Sequence, residues 1–209
     1  MPIFTDSTIF PTFQDLPPAS SASSSNDQGE RPWFLLAQIK EDMTITKPTA
    51  IVRDRSGAEF AVTFDDGDHR GVVGVPGLRL RKGHTLVVPR AARTDRGGEG
   101  KKAIVRVPAG RGADVRVVPG SLERVLELGE VVDGMGRIEA EEEGEDGRGK
   151  KKCAACGEAE REEEGERLMR CTGCGAAAYC GKACQVRGWS EIGHKANCRV
   201  IRAIKEIWP

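Results

Sequence analysis

Seven cysteines and one histidine stand near the end of this chain in a fixed rhythm. Cys153 and Cys156 form a C-x2-C pair, and Cys171 and Cys174 form a second. Cys180 and Cys184 form a C-x3-C pair, and His194 and Cys198 close the series as H-x3-C. The first 152 residues contain no cysteine. Thiolate sulfur and imidazole nitrogen are zinc ligands, and a structural zinc takes four of them in a closed tetrahedron. Eight ligands in four pairs make two such sites, with none left over. A C-x2-C pair closes a tight knuckle on one ion. Pairs spaced i, i+4 lie on one face of a helix. A chain that merely buries its thiols has no reason for two knuckles and two helical pairs, and an odd cysteine count disfavours a closed disulfide framework. The expectation is two zinc ions per chain, held by Cys153, Cys156, Cys171, Cys174, Cys180, Cys184, His194 and Cys198. Spacing leaves the grouping open. Sequential and alternating assignments both give one four-cysteine site and one site of three cysteines and a histidine.

Zinc must also hold the finger together. About fifty residues with so few apolar side chains cannot build a sufficient core, and structural zinc contributes folding energy outright. With every position on each ion taken by protein, no place remains for a water or substrate, so zinc catalysis is not expected. Seven thiolates and two dications move the formal charge from zero to −3.

The order of these pairs, with Tyr179 just before Cys180, Gln185 just after Cys184, then Trp189 and "HKANC", resembles the MYND zinc finger over Cys153–Cys198. The resemblance implies that pairs alternate between ions. Cys153, Cys156, Cys180 and Cys184 then hold one zinc, and Cys171, Cys174, His194 and Cys198 the other. It further implies that Gln185 and Trp189, themselves i, i+4, line a shallow groove for a short proline- and leucine-containing peptide. The competing reading packs Trp189 against the zinc core or the last helix and leaves Gln185 solvated. Tyr179 reads as a packing residue between the two sites. The loop "GEAEREEEGERLMR" and the "SEIG" between Trp189 and His194 are longer than the family commonly has.

The elements upstream read as separate pieces. Residues 1–30 are Ser/Pro-rich and read as a disordered tail, its apolar "IFPTF" notwithstanding. Residues 31–132 read as a β domain. "TAIVR" and "AEFAVTF" form a hairpin around "DRSG", with Gly57 at the turn and Phe60, Val62 and Phe64 alternating onto one face. About five strands in this length suggest a small barrel or sandwich. The order of a long strand, a hairpin with a D-x-S-G turn, and "LRKGHTLVV" resembles the OB-fold barrel. Residues 133–152 read as a charged linker and 199–209 as a helical extension of the finger. The fold class expected is thus a mainly β, OB-like barrel followed by a small two-zinc α+β finger with short helices.

Composition narrows the function. Basic and acidic residues number 32 each, so bulk charge selects no polyanionic partner. No apolar run approaches the roughly 20 residues of a membrane span, and "MPIFTDSTIF" lacks a signal peptide's basic and apolar regions. The expected location is intracellular, nucleus or cytoplasm, where thiols stay reduced. Leu78–Val118 carries eleven Lys or Arg against three acidic residues, a basic face that could track phosphates. Single-strand binders also stack bases on aromatic rings, yet no aromatic lies between Phe64 and Tyr179. Trp33, Phe34, Phe60 and Phe64 are spoken for by the barrel interior. His69 and His84 lack partner ligands and read as lone surface histidines. A SET domain does not fit in the available length, no H-x-D pair occurs, and no phosphate loop or nucleophile elbow appears. The reading is a zinc-binding, non-catalytic adaptor that recognises a protein segment through its finger. The alternative is a nucleic-acid-binding regulator using the basic face.

Overall fold

The computed structural model describes residues 4–22, 32–45, 47–65, 79–98, 102–129, 152–160 and 168–208. The chain divides into two compact units, Phe4–Leu126 and Glu127–Pro209.

In the first unit, runs of β-branched and aromatic residues become strands β1 (Phe34–Asp42), β2 (Thr49–Asp54), β3 (Glu59–Phe64), β4 (Thr85–Pro89), β5 (Arg93–Thr94), β6 (Ile104–Val107) and β7 (Arg116–Val118). They form one seven-stranded sheet in the order β5-β6-β3-β2-β1-β4-β7. All pairings are antiparallel except β3 with β6. The hairpin expected from "TAIVR" and "AEFAVTF" is β2–β3, with Val52 opposite Phe60 and Ala50 opposite Val62. Period-two alternation puts Phe60, Val62 and Phe64 in the core with Val52 and Ala50, joined by Leu35, Ala37 and Ile39 of β1. The turn is closed by Asp54. Its Oδ1 accepts from the Ser56 and Ala58 amides and the Ser56 hydroxyl, and Gly57 takes φ +85°, where a β-carbon is disfavoured. Helix 122–129 follows β7, with Leu122, Val125 and Leu128 buried at helical spacing.

Within the tail expected over residues 1–30, residues 1–3 and 23–30 lie outside the described residues, while residues 4–16 pack into the β unit. Phe4, Phe10, Phe13 and Leu16 are buried, and the compact unit begins at Phe4. Phe13 stacks on Phe60, ring centroids 4.1 Å apart and planes within 11°. Its backbone N–H donates to Asp54 Oδ2 at 2.7 Å, a carboxylate only 3% exposed. The Phe34 amide donates to Ile9 O, the Arg93 amide to Pro17 O, and Arg55 Nη1 to Phe4 O. The Ser-rich composition that suggests disorder belongs to residues 19–25, after these anchors. Four apolar side chains spread over thirteen positions suffice to dock a segment when a sheet offers matching hydrogen bonds.

Other aromatic residues are engaged as well. Trp33 Nε1 donates to Ala91 O at 2.9 Å, and Phe34 lies against Phe10. The expected linker falls outside the described residues as far as 151. Among the described residues no helix is long and apolar enough to cross a membrane.

The second unit is small and mixed. Strands β8 (Met169–Arg170) and β9 (Ala178–Tyr179) pair antiparallel, and two helices follow, Lys182–Ser190 and His194–Ile207. With the helix at Ala19–Ala22 as α1 and that at 122–129 as α2, these are α3 and α4. The expected extension, 199–209, is the continuation of α4 through Ile207.

Candidate metal centre

Both C-x2-C pairs fold into the same knuckle. The Gly157 amide donates to Cys153 O and the Gly175 amide to Cys171 O, each at 2.8 Å. Ala154 N–H donates to Ala178 O, which ties the first knuckle to β9. The second is tied to the residue before β9 by a bond from the Cys171 amide to Ala177 O. Cys180 and Cys184 straddle the start of α3. His194 and Cys198 occupy the first turns of α4, one turn apart on one face. The longer "SEIG" connection resolves as a short stop. Glu191 caps α3 and Gly193, at φ +80°, reverses the chain so that α4 begins on His194.

The structure decides the grouping that spacing leaves open. The ligand atoms of Cys153, Cys156, Cys180 and Cys184 form one set, and those of Cys171, Cys174, His194 and Cys198 another. Within each set all donors lie within 4.8 Å of one another. A tetrahedral ion with sulfur at about 2.3 Å and nitrogen at about 2.0 Å spaces its donors roughly 3.5–3.8 Å apart. Cys156 and Cys180 sulfurs are 3.7 Å apart, those of Cys171 and Cys198 3.8 Å, and Cys174 Sγ is 3.6 Å from His194 Nε2. The residues therefore fit two zinc ions, one per set. Bound zinc would cross-link each set through all four of its donors.

The thiols are already divided in proton affinity. Burial raises Cys153, but N–H groups of Cys156, Ala155 and Cys180 outweigh it and bring the thiol down to about 6. Cys171 also falls to about 6, burial being outweighed by the amides of Cys174 and Gly173 and by His194. Cys180 is pushed up to about 12, chiefly by the Cys184 and Cys156 side chains. Cys198 is pushed up to about 12 by burial and by Cys171. Zinc binds thiolates, and the finger does not fold without it, so thiols that are protonated at pH 7 in the metal-free chain must give up protons to the ion. Zinc binding measured calorimetrically in buffers of differing ionisation enthalpy is expected to release at least two protons per chain at pH 7. Because protons compete with the ion, affinity should fall as pH falls toward 6 and below. A proton count of zero would contradict this.

Two glycines that sequence reading passes over matter here. A β-carbon on Gly173 would stand 2.8 Å from Cys198 Sγ, and one on Gly188 only 2.4 Å from the Tyr179 ring. Gly188 lies inside α3, where glycine costs about 1 kcal/mol relative to alanine, and that cost was the available signal. The close approach it permits seats Tyr179, 2% exposed, with its ring edge-on to His194 at 6.1 Å. Tyr179 is a packing residue, as its position before Cys180 suggests.

Gln185 and Trp189 both lie on α3 and are exposed, Trp189 at 42%. The Trp189 ring also meets the His194 ring edge-on at 5.7 Å. It therefore does part of what each competing reading expects: one edge packs on a ligand while the rest faces solvent beside exposed Val186. His84 is half-buried, and burial with the nearby Arg81 cation keeps it below the ordinary histidine value. It belongs to no ligand set among the described residues. His69 lies outside them.

Comparison with known proteins matches the finger. Residues 153–198 match the MYND finger family. Over 44 residues the chain is 39% identical to the histone-lysine N-methyltransferase SMYD3 of Homo sapiens, a stretch covering 21% of this chain and 10% of that protein. The chain thus spans about a tenth of the length of that relative. Interleaved ligand pairs, donor spacing and sequence agree that residues 153–198 are a MYND-type zinc finger.

Proposed function

We propose that this protein is an intracellular, non-catalytic adaptor that recognises a short proline- and leucine-containing segment of a partner protein through α3. One observation carries the reading: Gln185, Val186 and Trp189 stand exposed on a helix whose start is fixed by two ligands, Cys180 and Cys184. A helix held this way presents an indole and an amide at little ordering cost. An exposed apolar patch beside a hydrogen-bonding side chain suits an extended peptide, with the indole supplying buried area and the glutamine a bond to the peptide backbone. Four protein donors in each set, the full complement of a structural zinc, support a non-catalytic role for the finger. The test is calorimetry with such a peptide. Trp189→Ala should weaken binding at least about tenfold while both zinc ions stay bound. Equal affinity, or loss of zinc, would make Trp189 a packing residue and defeat the reading.

The β unit we read as an OB-like barrel serving as a second interaction surface. Its support is a connection. β4 and β5 lie five strand steps apart in the sheet, yet only Arg90–Ala92 joins them. A flat sheet would separate them by about 24 Å, whereas Pro89 to Arg93 reaches at most roughly 14 Å. Strong curling of the sheet reconciles the two, and the β1–β2–β3 meander with β3 parallel to β6 suits the OB order. The nucleic-acid reading stands lower. Phe60 and Phe64 are buried in the core with Trp33 packed against it, Phe34 lies against Phe10, and Arg93, Arg106 and Arg111 face Asp95, Asp65 and Asp114.

A further inference from the structure

The two ligand sets are chemically unequal. Cys171, Cys174, His194 and Cys198 are all buried, whereas only Cys153 of the other set is. Cys156 and Cys180 are exposed and Cys184 is half-buried. Four thiolates around a dication leave a charge of −2, while three thiolates and an imidazole leave −1. The exposed set is therefore also the more electron-rich, and thiolate character with access is what governs cysteine oxidation. Cys153 is the damped member: it is buried, and the Cys180 amide donates to its sulfur at 3.5 Å. Cys180 occupies the reactive centre, its sulfur 3.4 Å from that of Cys184 and 3.7 Å from that of Cys156.

We propose that the four-cysteine centre is an oxidative modification site, reacting with peroxides ahead of the buried centre. An exposed thiolate attacks the O–O bond of hydrogen peroxide. Its sulfur takes one oxygen as a sulfenic acid, and the other leaves as hydroxide and is protonated to water. A neighbouring thiolate then attacks the sulfenic sulfur, an S–S bond forms, and the second oxygen departs likewise as water. Two thiolates have lost two electrons in all, and the peroxide has gained them. The two thiolates that remain fall short of the four a closed site requires. Cys180 and Cys184 then cease to anchor the start of α3, while His194 and Cys198 go on holding α4.

The experiment uses the full-length, zinc-loaded protein titrated with hydrogen peroxide. Zinc release is followed with a chromogenic chelator, and disulfides are mapped by peptide mass spectrometry. One ion per chain is expected to leave at least about tenfold faster than the second. The first disulfide should join Cys180 to Cys184 or to Cys156, and a dithiol reductant with added zinc should restore the second equivalent. Release of both ions together, retention of both, or first oxidation at Cys171, Cys174 or Cys198 would each overturn the proposal.

Discussion

Cys198→Ala is expected to unfold the finger and to leave Phe4–Leu126 folded. Cys198 is buried, sits one turn from His194 on α4, and packs so closely on the second knuckle that only glycine fits at position 173. Its removal leaves three donors in a buried set. Structural zinc is worth an apparent 10–16 kcal/mol or so in small fingers at neutral pH. The apolar core that would have to substitute consists largely of Ala177, Ala178, Tyr179, Val200, Ile201 and Ile204. Such a core rarely supplies more than about 3–5 kcal/mol. The β unit holds no cysteine and has its own apolar core, so it should keep its protection. Hydrogen exchange read by mass spectrometry, with zinc measured alongside, checks both halves. Retained protection across α3 and α4 would refute the first, and loss of protection in β1–β3 the second.

The second large effect lies at the other end of the chain. Phe13→Ala should destabilise the β unit by about 3–4 kcal/mol, as large-to-small changes at well-packed phenylalanines do. Phe13 contributes its buried ring and the stack on Phe60, and anchors an amide that satisfies a buried carboxylate oxygen of Asp54. Urea denaturation of wild type and variant measures the difference. A change under about 1 kcal/mol would mean that the segment rests on the sheet without bracing it.

Which features the sequence discloses follows from how local their causes are. The zinc ligands are legible because knuckle and helix spacings are properties of a few adjacent residues. The β2–β3 hairpin is legible because Phe60, Val62 and Phe64 alternate and Gly57 marks the turn. Grouping of the ligands is another matter: it depends on how β9 brings the first knuckle to α3, and only resemblance to a family suggested it. The packing of residues 4–16 is not legible in the sequence because its anchors are sparse and their partners, Phe60 and Asp54, lie more than forty residues on. Strand β5 is two residues long and too short for any periodicity to register. Gly188 shows its purpose only once Tyr179 is seen beneath it.

The anchoring of residues 4–16 bears on synthesis. A ribosome delivers this segment before the partners it needs, since the acceptor for its amide and the ring that stacks on it come from β2 and β3. At about 5–20 residues per second, Phe64 follows Leu16 by several seconds. Throughout that interval Phe4, Phe10, Phe13 and Leu16 have no native place to go. The nascent chain therefore carries four apolar side chains that are not yet housed. They are housed only after the hairpin and, for the bond from Arg93 to Pro17, β5 have emerged. Residues 4–16 are thus made well before the elements that hold them in place.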